Sequence, residues 1–111
     1  MKKPEILRKR EDFKKLYKRG KSSNSRHLVL LYIKNGLSYN RKAFLASKKV
    51  GNSVCRNRAR RLMREAFRKT EAELPLGYDF LLIARSSAVE AKCADVEISL
   101  RSALRRAGLI K

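Results

Sequence analysis

The stretch Ser47-Lys48-Lys49-Val50-Gly51-Asn52-Ser53-Val54-Cys55-Arg56-Asn57-Arg58-Ala59-Arg60-Arg61-Leu62-Met63-Arg64-Glu65-Ala66-Phe67-Arg68 sets eight lysines and arginines against one acid in 22 residues, yet keeps an apolar stripe at helical spacing. On a 3.6-residue wheel Cys55, Ala59, Leu62, Met63, Ala66 and Phe67 fall on one side. Asn57, Arg60, Arg61, Arg64 and Arg68 fall on the other. One face of such a helix belongs in a core, and the opposite face meets a negatively charged partner. A guanidinium is a planar fork that bridges phosphate oxygens, so an arginine-rich face favours nucleic acid over a generic acidic surface. Gly51-Asn52 marks the helix start, with Asn52 or Ser53 as its cap, and Pro75-Leu76-Gly77 closes the helix and its tail.

Outward from this helix the pattern alternates. Glu11 and Asp12 open a segment that ends in Lys18-Arg19-Gly20, acids first and bases last, as the helix dipole favours; Gly20 is expected to stop it in a left-handed turn. Phe13, Leu16 and Tyr17 share one edge of that helix at i, i+3 and i+4. Residues 21–26 read as a polar loop, residues 27–33 as a strand-length apolar run, and residues 42–47 as a second strand after the turn signals Asn35-Gly36 and Asn40. Residues 78–84 are apolar on both faces at their centre, which predicts an interior strand. A last helix from about Cys93 to Ala107 turns Val96, Leu100, Ala103, Leu104 and Ala107 inward and stops at Gly108. The order is helix, two or three strands, basic helix, strand, helix. It predicts an α/β (α+β) two-layer sandwich, a small mixed sheet with three helices, forming a single RNA-binding domain over residues 1–111.

Charge is distributed unevenly. Residues 1–69 carry 23 Lys and Arg against four acids, whereas residues 70–111 carry six of each, so the whole excess of +19 lies in the first two-thirds. Such a field implies a polyanionic partner whose phosphates relieve the self-repulsion. A hydrophobic fraction of 43% argues for a folded chain over a basic tail. No apolar run approaches the roughly 20 residues of a membrane span. Met1-Lys2-Lys3-Pro4-Glu5 leads into charged sequence, unlike a signal peptide, and a cytoplasmic location is expected. Cys55 and Cys93, on apolar helix faces, are expected to be reduced.

Catalytic constellations are hard to find. The single histidine, His27, excludes a His/Cys metal cluster and reads as a structural or surface residue. Lys48-Lys49-Val50-Gly51 lacks the second glycine and following lysine of a phosphate loop, and no serine sits in a nucleophile elbow. If the chain takes part in a reaction, it is expected to bind and orient RNA while another component supplies the chemistry.

Ser47-Lys48-Lys49-Val50-Gly51-Asn52, then Arg56-Asn57-Arg58, then residues 60–67 resemble the signature of the protein subunit of bacterial ribonuclease P. Glu11-Asp12-Phe13 with Tyr17 and Gly20 is similar to that family's first helix, and Tyr78-Asp79-Phe80-Leu81-Leu82-Ile83-Ala84-Arg85 to its late strand. The resemblance implies a partner, the ribonuclease P RNA, and a substrate, precursor tRNA, from which the 5′ leader is removed with Mg2+ held mainly by the RNA. No membrane and no obligate protein partner is implied. Lys48, Lys49, Asn52, Arg56, Asn57, Arg58, Arg60, Arg61, Arg64 and Arg68 would face the catalytic RNA. Phe13 and Tyr17 match aromatic positions of the cleft that holds the single-stranded leader, where bases stack on rings with little sequence preference. Tyr32 is the third leader candidate, although the aligned position is Leu31 and a one-residue offset turns a strand side chain to the other face unless a bulge intervenes. The family fold also implies a left-handed strand-helix-strand crossover, against the usual hand. The second strand, Lys42-Ala43-Phe44-Leu45, departs from the valine-glycine-leucine run expected there.

Two other classes compete: a ribosome-associated or RNA-chaperone protein using the same helix, and a DNA-binding module. The second is disfavoured because neither paired short helices with a tight turn nor dimerisation heptads are present. Exposed aromatics at positions 13 and 17 discriminate the leader-binding protein from the chaperone.

Overall fold

The computed structural model describes residues 6–111; the charged lead at residues 1–5 lies outside them. Helix α1 (Arg10–Arg19) is followed by β1 (Lys21–Asn24), β2 (Leu28–Lys34), β3 (Arg41–Leu45), α2 (Ser53–Thr70), β4 (Tyr78–Ala84) and α3 (Cys93–Arg106). The strands form one mixed sheet in the order β1-β2-β4-β3. β4 is interior, antiparallel to β2 and parallel to β3, so β3, α2 and β4 make a crossover between neighbouring strands. The uncertain third strand before α2 is β1. Its sequence, Lys21-Ser22-Ser23-Asn24, carries no apolar signal; it pairs with β2, and the buried Ser23 hydroxyl donates to the Ala103 carbonyl of α3 at 2.8 Å.

Period-two alternation sorts the sheet residues to two faces. Leu28, Leu30, Phe44, Phe80, Leu82 and Ala84 face α2 and α3, where Ala59, Met63, Ala66 and Phe67 meet Val96, Leu100, Ala103 and Leu104. Phe67 is 1% exposed at the centre, its ring 5.8 Å from Phe44 and 5.7 Å from Phe80. The inward residues expected on α2 and α3 are thus the core, with Leu62, Cys55 and Ala107 half-buried at its margins. On the opposite face Leu7, Leu16, Ala43 and Leu81 form a smaller cluster beneath α1.

One local expectation changes. Gly20 does not end α1 in a left-handed turn: its φ is −69° and it is extended. Glycine is needed because a Cβ there would stand 2.4 Å from the Leu16 carbonyl oxygen, where the Gly20 N–H donates. His27 is structural: it is 8% exposed, with Nδ1 2.9 Å from the Ser87 hydroxyl and its backbone N–H donating to Ser99 Oγ. Both cysteines are free thiols, half-buried near helix starts.

Candidate nucleic-acid interface

The basic helix begins from a tight approach. A 3-10 turn, Lys48–Val50, buries Val50 and leaves Lys48 and Lys49 exposed. Gly51 follows at φ +142°, where a Cβ would meet Cys55 Cβ at 2.9 Å, so the chain can enter α2 here only with glycine. Asn52 is the cap, its Oδ1 accepting the Cys55 N–H at 3.0 Å. The first turn of α2 carries no acid. The positive end of the helix dipole therefore adds to Lys48 and Lys49 instead of being neutralised.

The arginines of α2 have different fates. Arg58 is turned back onto the protein, its Nε donating to the Val89 carbonyl at 3.1 Å and its terminal nitrogen to the Ala91 carbonyl at 3.2 Å. It ties α2 to the 3-10 turn Ser86–Glu90 and has fewer donors left for a partner. Arg68 pairs with Glu65, which holds the Glu65 carboxyl below its usual range chiefly through the hydrogen bond. Arg60 donates to Asn57 Oδ1 at 2.6 Å, and Arg64 lies over the Phe44 ring at 5.7 Å from its centroid. These contacts pre-set the two guanidinium groups without neutralising them. Arg61 is exposed, and Arg56 Nε is a buried donor with no hydrogen-bond partner. Asn57, Arg60, Arg61 and Arg64 thus form the open part of the face, flanked by Lys48 and Lys49, with Arg56 half-buried at its edge.

A second surface lies on the other side of the sheet. Leu16 is fully buried beneath α1, Phe13 is half-buried beside it, and Tyr17 stands 57% exposed. Ten residues of α1, roughly 15 Å of helix, do not seal this face. Leu31, Ile33, Leu45 and Ile83 remain half-buried as an apolar floor, and Lys14, Lys15, Lys18 and Arg19 of α1 are exposed above it. Floor residues other than Leu31 escaped sequence reasoning, although the alternation in the strands carries the signal.

The helix that borders this groove is fixed by an ion cluster. Arg41 grips the buried Asp79 with two hydrogen bonds, 2.8 and 2.7 Å, and reaches Asp12 of α1 at 3.3 Å. Asn35 Nδ2 adds a bond to Asp79 Oδ1 at 2.9 Å. Hydrogen bonding by Asp79 raises the Arg41 pKa above its usual value. Asp12 and Asp79 are therefore spent inside the fold, leaving the groove's rim basic.

Tyr32 does not join Phe13 and Tyr17. The pairing of β2 runs without a bulge from Leu28 to Lys34, and Tyr32 stands opposite Lys21 and Phe80. Alternation then sends its ring to the α2/α3 side, where it packs against the main core 6.4 Å from Tyr78. Leu31 takes the groove position instead.

A basic α+β protein with an arginine face on one side of its sheet and an aromatic groove on the other is an RNA-binding protein. The chain belongs to the ribonuclease P protein family, whose model matches residues 1–108, and is the protein component of the ribonucleoprotein endoribonuclease of tRNA 5′-end maturation. A ribonuclease P protein component from Pelotomaculum thermopropionicum is 42% identical over 107 residues, 96% of each chain. One from Alkaliphilus oremlandii is 39% identical over 104 residues, 94% of this chain and 91% of that one. A solved RNase P protein from Staphylococcus aureus superposes with a TM-score of 0.86 at 31% identity, over 98% of this chain and 100% of that one. The Thermotoga maritima protein gives 0.81 at 33% identity, over 92% and 96%.

Proposed function

We propose that the two faces of the sheet divide the work of this subunit, the open face of α2 docking on the ribonuclease P RNA and the α1 groove holding the 5′ leader of precursor tRNA. The observation that carries this reading is the groove itself. A half-buried Phe13 and an exposed Tyr17 border a floor of half-buried aliphatic side chains under a basic rim. That composition suits unpaired bases, whose faces stack on rings while their phosphates meet lysines. For the RNA face, support comes from the guanidinium groups of Arg60, Arg61 and Arg64, none of which is paired with an acid among the described residues, and from the unneutralised start of α2. Asn52 and Arg58 act there mainly by fixing the helix in place.

Magnesium is assigned to the RNA. Among the described residues no group of three or more His, Cys, Asp or Glu is placed to hold a metal ion. What the chain contributes is cationic screening and alignment of the leader. Among the described residues no helix is long and apolar enough to cross a membrane, and action in the cytoplasm, where the RNA partners reside, belongs to the same proposal.

The test is precursor-tRNA cleavage by a bacterial ribonuclease P RNA at low magnesium, with and without this protein. Strong stimulation with the cut at the mature 5′ end is expected. Tight RNA binding without stimulation would refute the proposed division of work between the two faces.

A further inference from the structure

Displaced from the leader groove, Tyr32 borders a different cavity. A pocket of about 280 Å³ opens at one end of the sheet, lined by Arg19, Lys21, Tyr32, Ile33, Lys34 and Tyr78. Lys21 stands opposite Tyr32, and Lys34 opposite Tyr78, so alternation puts these four side chains on one face. Three cations and no acid line the pocket. Among the described residues the side chains of Arg19, Lys21 and Lys34 make no ion pair or hydrogen bond. The hydroxyls of Tyr32 and Tyr78 have no partner either and are not sealed from solvent. Tyr78 stacks on Phe80 at 5.8 Å, which anchors the aromatic pair to the core. Packing at a sheet end explains the rings but not why three unpaired cations converge on them.

We propose that this pocket binds a nucleotide of single-stranded RNA, its base against Tyr32 and Tyr78 and its phosphate among Arg19, Lys21 and Lys34. Aromatic faces and tyrosine hydroxyls take a base and ribose, and the convergent cations take the phosphate. The topology indicates which nucleotide. Ile33 lines this pocket and also belongs to the apolar cluster under α1, so the pocket and the groove share a wall. Lys48, Lys49 and the start of α2 follow the C-terminal end of β3, whereas the pocket lies at the opposite end of the sheet, where β2 ends and β4 begins. A leader that enters beside the start of α2 and runs along the groove arrives here last. The occupant is then a leader nucleotide farther from the cleavage site than those over Phe13, a placement that rests on the leader reading above.

The experiment places 2-aminopurine at successive leader positions of precursor tRNA bound to the holoenzyme. Stacking on tyrosine should quench the distal positions, and Tyr32→Leu should relieve that quenching while leaving the proximal positions quenched. Lys34→Ala, an exposed change that cannot unfold the protein, should weaken binding of long-leader precursor about fivefold. It should leave mature tRNA and a leader too short to quit the groove unaffected. Unchanged distal quenching in Tyr32→Leu, or equal weakening of short and long leaders by Lys34→Ala, would overturn the proposal. A Phe13→Leu arm separates the two readings. If that change spares leader-bearing precursor while Tyr32→Leu still abolishes quenching of a 2-aminopurine oligoribonucleotide on the free protein, the nucleotide site stands and the leader reading falls.

Discussion

Replacing Arg60 and Arg64 together by alanine isolates the contribution of α2 to RNA binding. Arg60 bonds only to the Asn57 amide and Arg64 lies on the Phe44 ring, so neither loss breaks an internal ion pair. Giving up the ring contact costs about 0.5–1 kcal/mol of stability, and the fold should persist. Each phosphate contact that disappears removes about 0.7 to 0.9 from the slope of log affinity against log salt, so the double change should flatten it by about 1.4 to 1.8. Between about 50 and 200 mM salt, the variant's affinity would then fall roughly tenfold less than the wild type's. Filter binding or fluorescence anisotropy on the ribonuclease P RNA across that range reads the slope directly. Arg58→Ala is the internal control. Its guanidinium is held by the Val89 and Ala91 carbonyls, so its loss should cost about 1 kcal/mol of stability and change the slope less. An unchanged slope in the double variant, or a larger change in Arg58→Ala, would refute the assignment of this face.

Phe13→Leu keeps an apolar side chain on the groove floor but removes a stacking ring; affinity for leader-bearing precursor should drop by about 1–3 kcal/mol while mature tRNA is spared, as competition binding will show. Phe67→Ala empties the centre of the main core, where the side chain is 1% exposed, and should cost about 3–5 kcal/mol in urea unfolding. Gly51→Ala forces a Cβ into a left-handed backbone at 2.9 Å from Cys55 Cβ; a clearly lowered melting temperature is expected, and an unchanged one would contradict the tight approach. Asp79→Asn leaves the more distant Asp12 as the acid facing Arg41, so stability should fall by about 1.5–3 kcal/mol. The loosened α1 should also weaken leader binding while the salt slope on the catalytic RNA stays unchanged.

Most of the architecture was legible because the apolar periodicity of α2, β4 and α3 is strong, and the capping signals Asn52 and Gly108 agree with it. The failures are equally physical. Residues 21–24 read as loop because a four-residue polar edge strand owes its form to the β2 ladder and to two bonds with α3, from Ser23 to the Ala103 carbonyl and from Arg106 to the Asn24 carbonyl. Gly20 was expected at a left-handed turn, yet what demands glycine there is steric, the nearness of the Leu16 carbonyl. Arginine spacing could not tell Arg58, folded back on its own backbone carbonyls, from Arg61, which is exposed.

By itself the sequence determined that a basic amphipathic helix packs on a small mixed sheet and that the partner is a polyanion, which the resemblance of its signature names as RNA. Charge and period are local properties, carried by each segment before it meets any other. Only the tertiary structure decided which rings share a surface. Continuous pairing of β2 with both neighbours turns Tyr32 away from Phe13 and Leu31 toward the groove, while the Arg41–Asp79–Asp12 cluster holds α1 across that face. Register and the seating of a helix depend on contacts between distant segments, and no stretch of the chain encodes those alone.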